Sequence, residues 1–345
     1  MTPMNKGFVW MAGWLLLMSC TPESPEIIDP PAPESGHVFV LNEGNFQWGN
    51  ASLDKYDPET KMLQSGLFQA INQFPLGDVL QSMTVFDGKM YLVVNNSGKI
   101  ELLDPESLES IGTIDGLSSP RYFLGISSTK AYVSDLYANA VSVLDLATQS
   151  VSGKIPIEGW TEQMVLVNEQ VFVTNVQRPY LFVLDPQSDQ LIDSIRVRIG
   201  GNGIVRDKQG MLWLACGEIL QPDVEGALYK IDPETRTVID SFLFPIAQKP
   251  SELQMNAQGD ALYFLTTAVV RMSIEATDLP ADPLIPEEGG LWYGLGIDPA
   301  TEEIYLADAI DYVQKGVILR YTSGGELIDE FRAGIIPGGF YFQEK

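Results

Sequence analysis

Histidine is almost missing from this chain; His37 is the single one. A catalytic dyad or a metal centre built on imidazole would have to use that residue, which removes most hydrolase mechanisms. Cations are scarce as well. There are 21 Lys and Arg against 46 Asp and Glu, a formal net charge of −25. Phosphate backbones and anionic headgroups need a surplus of cations, so nucleic-acid partners and direct adsorption to anionic lipid are disfavoured. No GxSxG, HExxH, phosphate-loop or calcium-loop pattern occurs. Gly200-Gly201-Asn202-Gly203 has no helix after it and reads as a turn, and Glu287-Glu288 reads as solvated loop charge. The expectation is therefore a protein that is not an enzyme and carries no cofactor or metal. Charged residues make up 19% and hydrophobic residues 45%, a globular rather than disordered composition.

Long apolar runs are absent too. The run from Phe8 to Leu17 follows Lys6 and is too short to span a bilayer, which takes roughly 20 residues. Residues 1–19 read as a secretion signal. Leu17-Met18-Ser19-Cys20 resembles the bacterial lipobox, which implies that Cys20 becomes the acylated first residue of the mature chain. A plain signal peptide with an incidental Cys is the alternative. Only two cysteines exist, and lipidation of Cys20 leaves Cys216 free, a small buried hydrophobe in a strand-like run. Residues 20–36 hold five prolines between Pro22 and Pro33, the composition of a stiff tether.

What the chain has in quantity is a repeat. The segments VFVLN, YLVVN, YVSD, VFVTN, LWLAC, LYFLT and IYLAD each carry one aromatic: Phe39, Tyr91, Tyr132, Phe172, Trp213, Tyr263 and Tyr305. Their spacings are 52, 41, 40, 41, 50 and 42 residues, and an apolar residue follows each. Neighbouring strand residues face opposite ways, so both faces of this strand are buried. A second strand ends each time in Asp57, Asp104, Asp145, Asp185, Asp232, Ser273 or Thr322. The set looks like catalytic or calcium carboxylates, but its periodicity marks hairpin turns closed by side-chain acceptors. Outer strands (MLQSGLF, ESIGTI, SGKIPI, LIDSIRV, VIDSFLF, LIDEFRA) and strands leading into each aromatic segment complete four per repeat; repeat six is irregular at ATDLPADPLI. Four strands per 40–50 residues define an all-β, seven-bladed β-propeller over residues 37–345. Repeat one lacks its leading strand, and GIIPGGFYFQ (334–343) supplies it from the C-terminus, closing the ring.

Function on such a scaffold concentrates in the loops of one face. The aromatic-to-turn separation is 13 residues in repeats two to four but 18, 19 and 17 in repeats one, five and seven. Aromatic and Arg residues gather in these loops and in the blade-to-blade loops beside them. The candidate ligand-binding set is Phe46, Trp48, Arg121, Tyr122, Tyr137, Trp160, Arg178, Tyr180, Trp292 and Tyr312. The polar column Asn42, Val94, Asp135, Asn175, Cys216, Thr266 and Asp308 is expected to ring the channel mouth.

The core YVSDLYANAVSVLDLAT (132–148) resembles the motif of the YVTN-type, YncE-like seven-bladed propellers, over roughly residues 38–343. VLNEGNF (40–46), SSPRYF (118–123), GWTEQM (159–164) and LWLACG (212–217) are similar to a narrower group, the surface lipoproteins of Bacteroidetes-type bacteria. Some members of that group capture cobalamin and hand it to a TonB-dependent outer-membrane transporter. The resemblance implies a cell-surface, outer-membrane lipoprotein that binds cobalamin or another corrinoid and is monomeric apart from the transporter. A scaffold binding a protein or glycan on the same face, and an enzyme subunit of quinoprotein type, are the competing readings.

Overall fold

The computed structural model describes residues 36–217 and 223–344. The signal (1–19), Cys20 and nearly all of the tether (20–36) lie outside the described residues, as do 218–222 in the long loop of repeat five.

Seven antiparallel sheets stand around one axis, with four strands in every blade but the sixth. Each blade runs from an inner strand, through the aromatic strand, to a third and an outer strand. Blade two shows the order: Leu80–Phe86, Lys89–Val94, Lys99–Leu103 and Ser110–Ile114. The inner strands neighbour one another around the ring.

Burial of both faces of the aromatic strand has a simple origin: alternate residues serve different neighbours. In blade one, Phe39 and Leu41 pack with Met90 and Leu92 of blade two, while Val38 and Val40 pack with Tyr305 and Ile318 of blade seven. The same division recurs at every interface. Phe172 packs toward Leu212 and Leu214, and Trp213 toward Leu262 and Phe264. The large ring thus always points to the following blade, and Tyr91 stacks on Phe123 at 4.1 Å. Fully burying each such side chain stabilises the fold by roughly 1.5–3 kcal/mol.

The carboxylate column closes hairpins, as its periodicity predicts. Asp104 Oδ1 accepts the backbone N–H of Glu106 at 3.0 Å and of Ser107 at 2.8 Å. Asp57, Asp145, Asp185 and Asp232 accept in the same way. Ser273 Oγ accepts from Glu275, and Thr322 Oγ1 from Glu326.

Closure follows the expected route. Pro337–Phe342 pairs with Val38–Asn42, setting Tyr341 opposite Phe39 and Phe340 opposite Val40. Blade six has three strands, Ser251–Met255, Ala261–Leu265 and Val269–Ser273. The Pro-rich stretch that follows pairs only through the isolated bridge of Val269 with Ile285. Pro280 and Pro283 have no N–H to give a ladder, which accounts for the missing outer strand.

Candidate functional site

A register slip repeats at the start of all seven inner strands. The pairing with the aromatic strand shifts between Leu80 and Ser82, Pro120 and Phe123, Thr161 and Met164, Gly201 and Gly203, Ser251 and Gln254, and Trp292 and Gly294. In blade one it falls opposite Leu41 and Asn42. A bulge releases a residue from the ladder and re-aims its side chain. The residue just past the first paired position is Gln81, Arg121, Glu162, Asn202, Glu252, Tyr293 and Gly338, one per blade. All except Asn202 line a single cavity of about 490 Å³ on the axis.

Blade one departs from the pattern in a useful way. Its slipped residue is Gly338, and a Cβ there would come within 2.9 Å of Glu43 Oε1 and 3.2 Å of Tyr293 Cε1. Glu43 occupies that space instead. It sits directly after Val38–Asn42, and its backbone N–H donates to Ile336 O at 2.9 Å. Tyr293 Oη donates to the Glu43 carboxylate, 3.1 Å from either oxygen. Across the cavity Arg121 Nε donates to Glu162 Oε2 at 2.9 Å, and Arg121 Nη1 donates to Gln81 Oε1. Burial pushes the Glu43 carboxyl up to about 7, against the pull of Arg121 and of the Tyr293 hydroxyl. Burial likewise raises the phenols of Tyr122 and Tyr293.

The candidate residues fall into three groups. Arg121, Tyr122 and Trp160 line the cavity, with Arg121 and Tyr122 inside the inner strand Pro120–Ser127 rather than in a blade-to-blade loop. Phe46, Trp48, Tyr137 and Tyr312 are exposed on the loop face, at 62%, 76%, 65% and 44%. Tyr137 meets Trp160 edge-on at 5.9 Å, and Tyr312 meets Tyr293 at 5.6 Å. Asn45 Nδ2 donates to Tyr312 O at 2.7 Å, so the long loops of blades one and seven touch across the closure. The remaining three are occupied by the fold. Arg178 pairs with Glu158, Tyr180 lies under the Arg196 guanidinium, and Trp292 packs on the core between blades six and seven.

The polar column at the end of the aromatic strands does not ring the channel mouth as expected. Its polar members turn toward the loops and hold backbone, while Val94 is buried in the core between blades one and two. Asp135 accepts from Ser118, Ser119, Tyr137 and Ala138. Asn175 accepts from Gln177 and Arg178, Asp308 from Leu291 and Ile310, and Asn42 from Gly334. Cys216 is buried, its thiol pushed up to about 12 by burial, and its Sγ–H donates to Arg198 O at 3.4 Å. The channel is lined one step away, by the slipped residues of the inner strands, and sequence reasoning missed Gln81, Glu43, Glu162 and Glu252. For Gln81, Glu162 and Glu252 the signal is a column two residues into each inner strand, legible only once the slip is known; Glu43, just past an aromatic strand, lies outside that column.

Fold and site together define a closed seven-bladed β-propeller with a polar axial cavity and an aromatic-tipped loop face. The chain belongs to the family described as a domain of unknown function, DUF5074, which matches residues 36–342. No curated protein matches it. Among solved structures it is similar to a quinonprotein alcohol dehydrogenase-like protein from Bacteroides thetaiotaomicron VPI-5482. The identity is 15% and the TM-score 0.70, over 89% of this chain and 78% of that one. A functionally unknown protein from Desulfotomaculum acetoxidans DSM 771 is 13% identical with a TM-score of 0.67, over 89% and 99%. A protein from Lactobacillus plantarum is 14% identical with a TM-score of 0.67, over 90% and 100%. At these identities the likeness is one of fold.

Proposed function

We propose that this protein is a lipid-anchored capture protein of the outer membrane. It binds cobalamin or a related corrinoid on the loop face and passes it to a TonB-dependent transporter. The observation that carries the reading is the set of exposed aromatic tips, Phe46, Trp48, Tyr137 and Tyr312, standing on one face of a closed ring. A corrinoid is large, rigid and fringed with amides. Its capture takes broad aromatic area and hydrogen-bond partners, and no catalytic base. Two of the tips are braced by ring contacts with Trp160 and Tyr293, which lowers the ordering cost of binding. The sequence features behind the anchor are Lys6, the apolar run and Leu17-Met18-Ser19-Cys20.

Calorimetric titration of residues 36–345 with cyanocobalamin and related corrinoids tests the reading. Saturable one-to-one binding supports it. Absence of binding, with a glycan or protein taken up on the same face, replaces it with the scaffold reading. Fatty-acid labelling of wild type against Cys20→Ala tests the anchor: label is expected on wild type alone.

A further inference from the structure

The axial cavity is chemically unlike the loop tips. Its wall combines the rings of Tyr122, Trp160 and Tyr293 with the carboxylates of Glu43, Glu162 and Glu252, and among the described residues its one basic side chain is Arg121. That guanidinium is already held by Glu162 and Gln81. Glu43 is held by a neutral phenol, 3.1 Å from either oxygen. Arg121 acts on Glu43 through space while its ion pair is with Glu162; an ionised carboxylate taken out of water without a directly paired cation is costly, and a ligand that brings the cation offsets that cost. Aromatic faces beside carboxylates favour an ammonium over a neutral group. Two glycines let the wall of the cavity pack closely. Gly296 faces Phe340, where a Cβ would come within 2.9 Å, and Gly338 leaves the space that Glu43 fills.

We propose that the axial cavity is a second binding site, for a compact organic cation. The ligand is a primary ammonium on a small aromatic or aliphatic body, with Glu43 as its charge partner and Tyr122, Trp160 and Tyr293 as its walls. This goes beyond the corrinoid reading, which uses the loop tips and needs no charge. The groups that face Glu43 are Tyr293 from blade seven, Arg121 from blade three and Glu162 from blade four. Glu252 from blade six acts on Tyr293, and Tyr312 in the blade-seven loop feels the Glu43 charge. The Glu43 carboxyl titrates at about 7, so an ammonium that binds its ionised form must displace a proton.

The probe is phenethylamine, titrated into the full chain at pH 6 and pH 8, with 2-phenylethanol as the neutral control. The amine stays protonated at both values. The expected result is binding about ten-fold tighter at pH 8, from the ionised fraction of a group titrating at about 7. Calorimetry at pH 7 in two buffers of different ionisation heat should show release of about half a proton. Glu43→Gln should abolish the pH dependence and the proton release, and Glu252→Gln should weaken binding while retaining both. Equal affinity for the alcohol, equal affinity at the two pH values, or no amine binding at pH 8 overturns the proposal. Cyanocobalamin titrated into the same preparation reads the loop face separately, so failure of one reading is not failure of the other.

Discussion

Carboxylates on the two faces of this ring behave in opposite ways. On the hairpin face, Asp57, Asp104, Asp185 and Asp232 are partly exposed, and hydrogen bonds from their own turns hold them below the usual carboxylate range. On the loop face, Glu43 is carried into the axial cavity and pushed up to about 7 by burial. The first group is local: each Asp is satisfied by N–H groups two and three residues on, whatever the rest of the ring does. Glu43 is global, since it meets Tyr293 only because the C-terminal strand brings blades seven and one together. The lesson is that acidic residues counted alike in the net charge report on different levels of structure.

The ring itself is what separates the two faces, so its disruption gives the largest effect. Deleting residues 337–345 removes the strand that pairs with Val38–Asn42 and exposes an edge. Loss of a cooperative melting transition is expected; an unchanged melting curve would mean that closure is made elsewhere.

Next in size is the pH dependence of stability. A carboxyl raised in the folded state binds a proton that the unfolded chain has released. Stability therefore falls as pH rises from about 4.5, the unfolded value, through about 7. The full swing for Glu43 is about 3 kcal/mol, at 1.36 kcal/mol per unit. Glu43→Gln should flatten that slope and raise stability above pH 7, as read by urea denaturation across pH. The hairpin Asp residues contribute with the opposite sign: their stabilisation is present above the unfolded value and is lost as pH falls through their depressed ones.

Smaller still is the effect of the loop tips, which should act on binding and not on folding. Trp48→Ala is expected to weaken corrinoid binding by about 2 kcal/mol, as at interface hot spots, with an unchanged melting temperature. The smallest effect belongs to the hairpin column. Asp104→Ala should lower the melting temperature slightly and leave corrinoid affinity untouched. Loss of affinity without loss of stability would blur the division between the faces.

Much of the scaffold was legible because it repeats. The aromatic column fixed the blade count, and the missing leading strand of repeat one pointed to GGFYFQ at the other end. The hairpin Asp residues were legible because a turn is a local event. The channel lining was not. A strand pattern tells which residues alternate, but a slip at the start of each inner strand changes where Gln81, Arg121 and Glu162 aim. The same limit explains why Asp135 and Asn175 were assigned to the channel although they hold loops: periodicity places a residue at a strand end without saying which way it turns. Trp292 and Tyr180 read as loop candidates in the sequence because their packing partners lie far off in the chain or across a ladder.

The seam strand has a mechanical consequence. Val38–Asn42 lies between Ser52–Asp57 and Pro337–Phe342, hydrogen-bonded along its length to both, and His37 O accepts from Gln343 N at 2.9 Å just before it. Tension drawn through His37 along the strand axis loads these two ladders side by side, in shear, because their bonds run perpendicular to the pull. Rupture then requires many bonds to fail together, not one after another as in peeling. The strand on which the C-terminus shuts the ring is also the one oriented to bear a load.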